Sequence, residues 1–140
     1  MCCYNRPYDD QSQLKIALET QAKLFIQQLI QEAKVDLVSS YTLDYECSNI
    51  PVISRKDTII KFINNYSCYY VGFEHDEIIA DKAALIMKSG VKEKDAFHIA
   101  SAIFARCEYF ISTDLRLLKY KTNEIKLLTP IEFIMELESD

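Results

Sequence analysis

The sequence predicts an α/β protein whose central, mostly parallel sheet is covered by helices on both faces, a three-layer α/β/α arrangement. Amphipathic helical segments alternate with short apolar segments along the chain, which is the order of elements typical of a parallel sheet. Of the 140 residues, 49% are hydrophobic, and only two are Gly and three are Pro. This length and composition predict one folded domain spanning residues 1–140 rather than a disordered chain.

The first half of the chain begins with a long amphipathic helix at residues 11–34, because apolar side chains recur there at steps of three and four residues. A strand is predicted at residues 35–40. The short helix at residues 40–49 ends before Pro51, since the residue before a proline is driven to an extended conformation. The apolar stripe of the long helix, which we expect to face the core, consists of Leu14, Leu18, Ala22, Phe25, Leu29 and Ala33.

The second half continues the alternation. Gly90 ends one helix, and Pro130 opens the last one at a position where proline is tolerated. The aromatic residues between positions 66 and 73 are interpreted as core strand rather than as a base-stacking platform. Further helices are predicted at residues 54–66, 75–90, 94–107, 114–120 and 131–140, and further strands at residues 68–73, 108–112 and 125–129. At most four strands are found, and the strand expected at the centre of such a sheet is missing.

Charge, hydropathy and cysteine content narrow the class of protein. The net charge is −5, but residues 82–126 carry nine Lys or Arg against five Asp or Glu, and such a basic region suits a phosphate backbone. A solvated face is the alternative explanation. No apolar run approaches the ~20 residues needed to cross a bilayer, so no membrane association is expected. The five cysteines form no C-x-x-C pair and the N-terminus has no apolar signal segment, so we expect a cytoplasmic protein with incidental thiols.

Two acids at the ends of one helix–strand unit are expected to be neighbours. Asp95 lies in the first turn of its helix, and Asp114 follows the next strand, at the carboxyl edge where open parallel sheets bind ligands. The helix is about 20 Å long and the strand runs back beside it, which returns Asp114 to Asp95. Paired carboxylates favour Mg²⁺ or Mn²⁺, and such an ion can activate water for attack on a phosphate. Each acid alone could instead serve as a helix cap.

A third acid is expected from the short helix after the first strand. Asp44 and Glu46 are the choices, and because they are two residues apart on a helix they point about 160° away from one another, so only one can face the site. His98, one turn after Asp95, could orient that acid or a water molecule, and the alternative is a structural histidine. Two hydroxyl residues just before Asp114 could donate to a carboxylate or a phosphate, namely Ser112 and Thr113.

The segments DAFHIASA and YFISTD resemble the PIN domain family, metal-dependent ribonucleases that include the VapC-type toxins of toxin–antitoxin pairs. The family pattern has an acid on the first strand, an acid near the second helix, a D-A-x-H-x-A helix, and a strand that ends in T-D or in T/S-x-D. Glu46 matches the second acid better than Asp44 does, and the order of the motifs agrees over about residues 11–136. The other matching residues are Asp95, His98 and Ala100 in the helix and Ser112, Thr113 and Asp114 at the end of the strand.

The resemblance implies a PIN-like fold with a five-stranded parallel sheet and cleavage of RNA with Mg²⁺ or Mn²⁺. It implies that Glu46, Asp95 and Asp114 hold the metal or its waters, and that metal-bound water attacks the phosphodiester in line. It also implies an RNA substrate, a cognate antitoxin and a homodimer as partners. A toxin of a type II toxin–antitoxin pair is therefore the expected biological role.

The beginning of the sequence departs from the family pattern. Family members open with a hydrophobic strand that ends in an Asp, whereas this sequence opens with MCCYNRPYDDQ, and neither Asp9 nor Asp10 replaces the missing acid. We expect either that Met1 is an internal or misassigned start or that the first strand is lacking. A sheet without its central strand would expose the hydrogen-bonding edges of two strands, and the metal would lose a ligand. Such a chain is expected to be unstable, strand-swapped or inactive.

Two further residues and one further function complete the expectations. If a strand preceded Cys2, Asn5 and Arg6 would lie at its carboxyl end as candidates for phosphate contact, with ordinary loop residues as the alternative. The alternative function is a degenerate, non-catalytic PIN-like module that binds a protein or RNA. The missing first acid and the negative net charge favour this alternative.

Overall fold

The computed structural model of the chain describes residue 4 and residues 6–139. Within that part the helices are α1 (Leu14–Gln31), α2 (Tyr41–Ser48), α3 (Ile53–Tyr66), α4 (Asp76–Met87), α5 (Glu93–Phe104) and α6 (Pro130–Glu138). The strands are β1 (Leu37–Ser40), β2 (Ser67–Val71), β3 (Tyr109–Ile111) and β4 (Lys126–Leu128). Short 3₁₀ turns lie at Arg6–Tyr8, Phe73–His75 and Leu117–Lys119. The helix expected at residues 114–120 is therefore reduced to the last of these turns.

The described residues form two compact units. One consists of Asp36–Glu108, and the other consists of the residues before and after that segment. Each unit contains one pair of parallel strands, β1 with β2 in the first case and β3 with β4 in the second. The mixed α/β class with parallel strands is therefore confirmed. The single domain and the three-layer arrangement around one central sheet stay predictions.

In the unit Asp36–Glu108, which we call the central unit, α5 lies at the middle of the packing. It packs against α4, α2 and β1, and its inward side chains are fully buried, as those of Ala96 and Ile99 show. Gly90 has a φ of 94°, a left-handed conformation that glycine adopts without a Cβ clash, and the chain turns there between α4 and α5. The backbone N–H of Leu43 donates to the Ser40 side chain at 3.2 Å, so Ser40 is the N-cap of α2.

The other unit, formed by the two ends of the described chain, joins α1 to α6, and α6 in turn packs on β3 and β4. Its last helix starts as the sequence predicts. The side chain of Thr129 accepts from the backbone N–H of Glu132 and the Glu132 side chain accepts from the backbone N–H of Thr129, while Pro130 occupies the first turn. None of the described helices is both long enough and apolar enough to cross a membrane.

The predicted core face of α1 is confirmed only at Ala22 and is wrong at three of its other positions. Leu14, Leu18 and Phe25 are exposed, and the buried residues of this helix are Glu19 and Ala22. Glu19 tolerates burial because its Oε1 lies 3.3 Å from Nε of a partly exposed arginine, Arg6. Apolar periodicity therefore identifies the helix but not the side that packs inward.

The interpretation of the aromatic residues at positions 66–73 as core strand is also wrong. Tyr69, Tyr70 and Phe73 are exposed, and within β2 only Val71 is buried. Tyr69 and Tyr70 are successive residues of a strand and point to opposite faces, so neither face of β2 is fully covered at these positions in the described part of the chain. These rings are therefore surface features of the central unit.

Candidate functional site

The candidate site of the central unit lies where α2 packs against α5. Glu46 projects from α2 and His98 from α5, and Nε2 of His98 lies 2.9 Å from Oε1 of Glu46. Both side chains are largely removed from water: 16% of the Glu46 side chain and 11% of the His98 side chain are exposed. The ring N–H of His98 is not aimed along the line to the carboxylate, so the pair is a close polar contact rather than a well-aligned hydrogen bond.

The environment of Glu46 favours its charged form. Burial alone would raise the pKa of the Glu46 carboxyl, but the contact with His98, together with the charges of His98 and Lys94, lowers that pKa below its ordinary value. The side chain is therefore an anion at neutral pH. A carboxylate must be in this form to act as a ligand for a hard cation.

Asp95 lies one turn before His98 on α5, in the first turn of the helix. Residues three apart on a helix are surface neighbours, so Asp95 lies on the side of α5 that carries His98. A second contact confirms the same alignment of the two helices: Nζ of Lys94 lies 6.0 Å from the ring centroid of Tyr45. Glu46 and Asp95 therefore lie on helices that pack against each other. Each directly follows one residue of the contact between Tyr45 and Lys94.

Buried hydroxyls accompany the pair. Thr42 precedes Glu46 by one turn on α2, and Ser101 follows His98 by three residues on α5. Both side chains are buried, as is the capping Ser40 at the carboxyl end of β1. The packed helices α2 and α5 therefore carry polar groups in a largely covered setting, where polar interactions are stronger than in water.

The two acids of α2 face different partners. The hydroxyl of Tyr70 on β2 donates to Oδ2 of Asp44 at 2.7 Å, whereas Glu46 faces His98. This is the divergence that a two-residue separation on a helix predicts. Asp44 is exposed, and its contact holds the Tyr70 ring rather than approaching α5.

Asp114 lies in the other unit, where it has the capping role that the sequence left open. Its Oδ1 accepts from the backbone N–H groups of Arg116 at 3.0 Å and of Leu117 at 3.4 Å, at the start of the 3₁₀ turn. Its own backbone N–H donates to Oγ of Ser112 at 3.1 Å. Ser112 and Thr113 are buried, and Asp114 is exposed. Since Asp114 belongs to a different unit from Asp95, their expected proximity stays a prediction.

Of the two candidates near the start of the chain, only Arg6 lies within the described residues. Arg6 belongs to the unit of the chain ends, where its Nη1 lies 2.8 Å from Oδ2 of Asp9 and its Nε lies near Glu19. Two carboxylates therefore share the guanidinium charge that was considered for a phosphate. Asn5, like Cys2 and Cys3, lies outside the described residues. Cys47, Cys68 and Cys107 are not joined in disulfides in the described part of the chain.

The donor set of the central unit suits magnesium or manganese, although the set is small. Among residues 4 and 6–139, no three His, Cys, Asp or Glu side chains are grouped so as to hold a metal ion. Magnesium is commonly held by one or two carboxylates, with waters and substrate phosphates completing the shell. Glu46 and Asp95 are the candidate carboxylates for such a site on α2 and α5, and the lowered pKa of Glu46 keeps that carboxylate anionic.

Two residues next to the acids were not predicted from the sequence to belong to the site. Tyr45 directly precedes Glu46, and Lys94 directly precedes Asp95. Their positions next to candidate ligands were the available signal, but only the packing of α2 on α5 shows that they contact one another. A search of protein families, curated proteins and solved structures finds nothing that matches this chain.

Proposed function

We propose that this protein is a metal-dependent endoribonuclease of the PIN type. The observation that supports the proposal most strongly is the anionic Glu46, held by His98 on the helix whose first turn carries Asp95. Two acids on facing helices, in the order and spacing of the motifs that resemble the PIN family, suit a magnesium or manganese ion at a phosphodiester. In the proposed fold, a five-stranded sheet in three layers organises these residues.

The residues of this chain have distinct roles in the proposal. Glu46 and Asp95 hold the divalent cation or its waters, and Asp114 contributes a further carboxylate. His98 keeps the Glu46 carboxylate in place, and Ser112 and Thr113 position the backbone and side chain around Asp114. When bound, the cation supplies an activated water and stabilises negative charge on the phosphate under attack.

The biological role proposed with this chemistry is that of a toxin in a type II toxin–antitoxin pair. The resemblance of DAFHIASA and YFISTD to PIN toxins supports it. A cytoplasmic location, an antitoxin partner and a homodimer belong to the same proposal. Copurification of the chain with the product of a neighbouring gene tests the antitoxin, and sedimentation of the isolated chain tests the dimer.

Cleavage of a mixed RNA pool in Mn²⁺ tests the nuclease. We expect Glu46→Gln, Asp95→Asn and Asp114→Asn each to lower the rate by about a hundredfold or more, because each removes a ligand charge. Glu93→Gln is the matched control, since Glu93 is exposed in the same first turn of α5 and loses the same charge. EDTA should abolish cleavage. Equal rates in Asp95→Asn, Glu93→Gln and the unaltered protein would refute the proposal.

A second candidate is a non-catalytic PIN-like module that binds a protein or RNA. The use of Asp114 Oδ1 as a cap of the following 3₁₀ turn favours it. This candidate predicts that RNA or a protein partner binds with the same affinity with and without EDTA, and that no folded form of the chain cleaves RNA. Metal-dependent cleavage that is lost in Asp95→Asn would exclude it.

A further inference from the structure

The helix that carries Glu46 is held by hydrogen bonds from two tyrosine hydroxyls. The hydroxyl of Tyr41, the first residue of α2, donates to Oδ1 of Asp76 on α4 at 2.7 Å. The hydroxyl of Tyr70 on β2 donates to Oδ2 of Asp44, which lies one turn further along α2, also at 2.7 Å. The two bonds therefore join α2 to two separate elements of the central unit.

Both bonds lie on the side of α2 that is opposite Glu46. Successive residues of a helix are about 100° apart, so Glu46 lies about 170° from the midpoint between Tyr41 and Asp44. On its own side of the helix, Glu46 contacts His98 where α2 packs on α5. The hydrogen bonds on one side therefore fix the rotation of the helix that directs Glu46 towards His98 on the other.

The short helix α2 depends on such contacts for its orientation. It has eight residues, whereas isolated helices of fewer than about 12–15 residues are only marginally stable in water. The partner of Tyr41 belongs to α4, which packs against α5, so this hydrogen bond orients α2 relative to the helix that carries His98. The ring of Phe73 packs edge-on against the Tyr41 ring, with the centroids 5.4 Å apart, and this contact limits the movement of the donor.

Both tyrosine hydroxyls are protonated donors at neutral pH. Burial, followed by the hydrogen bond to Asp76, raises the pKa of Tyr41 above its ordinary value. Burial, followed by the hydrogen bond to Asp44, raises the pKa of Tyr70 to about 12. A hydrogen bond from a hydroxyl to a carboxylate is stronger than one between two neutral groups. Each bond is therefore strong enough to favour one rotation of a two-turn helix over its neighbours.

We propose that Tyr41 and Tyr70 are positioning residues for Glu46. Their hydrogen bonds hold α2 in the rotation at which the Glu46 carboxylate meets His98. The consequence for catalysis rests on the proposed ribonuclease function, in which this carboxylate is a ligand of the divalent cation. Groups that orient a metal ligand typically change affinity or activity by about ten- to hundredfold when they are removed, and we expect an effect of that order here.

The test measures the coupling between Glu46 and His98 by a double-mutant cycle of urea unfolding in three versions of the protein. The first is the unaltered protein, and the second carries Tyr41→Phe and Tyr70→Phe, which remove both hydroxyls and keep both rings. The third carries Tyr69→Phe, which removes a hydroxyl from the neighbouring exposed residue of β2. The coupling should fall to about half or less in the second version and stay unchanged in the third, whereas tyrosines that only add stability would affect all four members of the cycle equally.

Unchanged coupling in the protein that lacks both hydroxyls would overturn the positioning role. Tyr41→Phe and Tyr70→Phe are also measured singly, so that the comparison remains if the double variant fails to fold, and each should lower the coupling by less than the two together.

Cleavage of a mixed RNA pool in Mn²⁺ is measured separately, and it should be about tenfold slower or more without the two hydroxyls and unchanged in Tyr69→Phe. Lowered coupling without cleavage by any folded protein supports the positioning residues and removes the ribonuclease. Cleavage with unchanged coupling leaves the ribonuclease proposal intact and removes this inference.

Discussion

The contact between Glu46 and His98 makes a quantitative prediction that does not depend on any ligand. Each residue is changed alone and then together, as Glu46→Gln, His98→Ala and the double variant. If the two side chains interact as their 2.9 Å separation indicates, the destabilisation of the double variant is smaller than the sum of the single effects. The difference is the coupling free energy of the pair.

The size of this coupling follows from geometry and burial. A polar contact to a charged group contributes roughly 1.5–3 kcal/mol when it is well aligned. The coupling free energy is lowered because the ring N–H of His98 is off the line to the carboxylate. It remains substantial because both side chains are largely buried. We therefore expect a coupling of about 1–2 kcal/mol.

The coupling also has a defined pH dependence. Folding lowers the pKa of Glu46, so the folded state releases this proton more readily than the unfolded state does. The stabilisation is therefore present above the ordinary carboxyl pKa and is lost as the pH falls through the lowered pKa of the folded protein. Urea unfolding of the four proteins at neutral and acidic pH measures both effects.

A second glutamate–histidine contact in the same unit provides the control cycle. Nε2 of His75 lies 3.5 Å from Oε1 of Glu74, but this pair is far more exposed than Glu46 and His98. Exposed pairs are screened by water, so Glu74→Gln and His75→Ala should couple by less than about 0.5 kcal/mol. Equal coupling in the two cycles, or none between Glu46 and His98, would refute the arrangement of the site.

Two further predictions concern the elements around the site. Ser40→Ala should lower the free energy of unfolding, measured in urea, by about 1 kcal/mol because it removes the N-cap of α2. Ser48→Ala, at the exposed end of the same helix, should change it by less than about 0.5 kcal/mol. Equal effects would contradict the capping role of Ser40. Burial, followed by the hydrogen bond to Asp44, raises the pKa of Tyr70 to about 12, so its contribution to stability is full below about pH 10 and is lost as the pH rises towards 12. Tyr70→Phe should remove part of this alkaline loss in pH-dependent unfolding, and an unchanged alkaline profile would contradict it.

The sequence predicts those parts of the fold that depend on local chemistry. Pro130 marks the start of the last helix in the sequence, and α6 begins there. The structure adds the cap of α2 by Ser40 and the pair Thr129 and Glu132. The side of α1 that packs inward was not predictable in the same way. Its buried face contains Glu19, whose burial depends on an arginine outside the helix, so no periodicity of apolar residues reveals it.

The candidate site shows the same division. Helix geometry predicts that only one of Asp44 and Glu46 faces the site, and the resemblance to the PIN family favours Glu46. The structure places the two acids against different partners. The sequence placed His98 near Asp95 or a water molecule, but its contact with Glu46 arises only when α2 packs on α5. The exposure of Tyr69 and Tyr70 depends on how much of β2 is covered, and a run of aromatic residues is compatible with either outcome.

The measurement that tests the central claim most directly is an NMR titration of the ¹⁵N-labelled protein with Mn²⁺, whose unpaired electrons broaden nearby amide signals. The proposed site predicts saturable broadening centred on the amides of Glu46 and Asp95, retained in Glu93→Gln and lost in Asp95→Asn. Broadening of the Asp114 amide in the same titration would include that acid in the site. Broadening that is centred elsewhere, or that is the same in Asp95→Asn and Glu93→Gln, would contradict a metal site on α2 and α5.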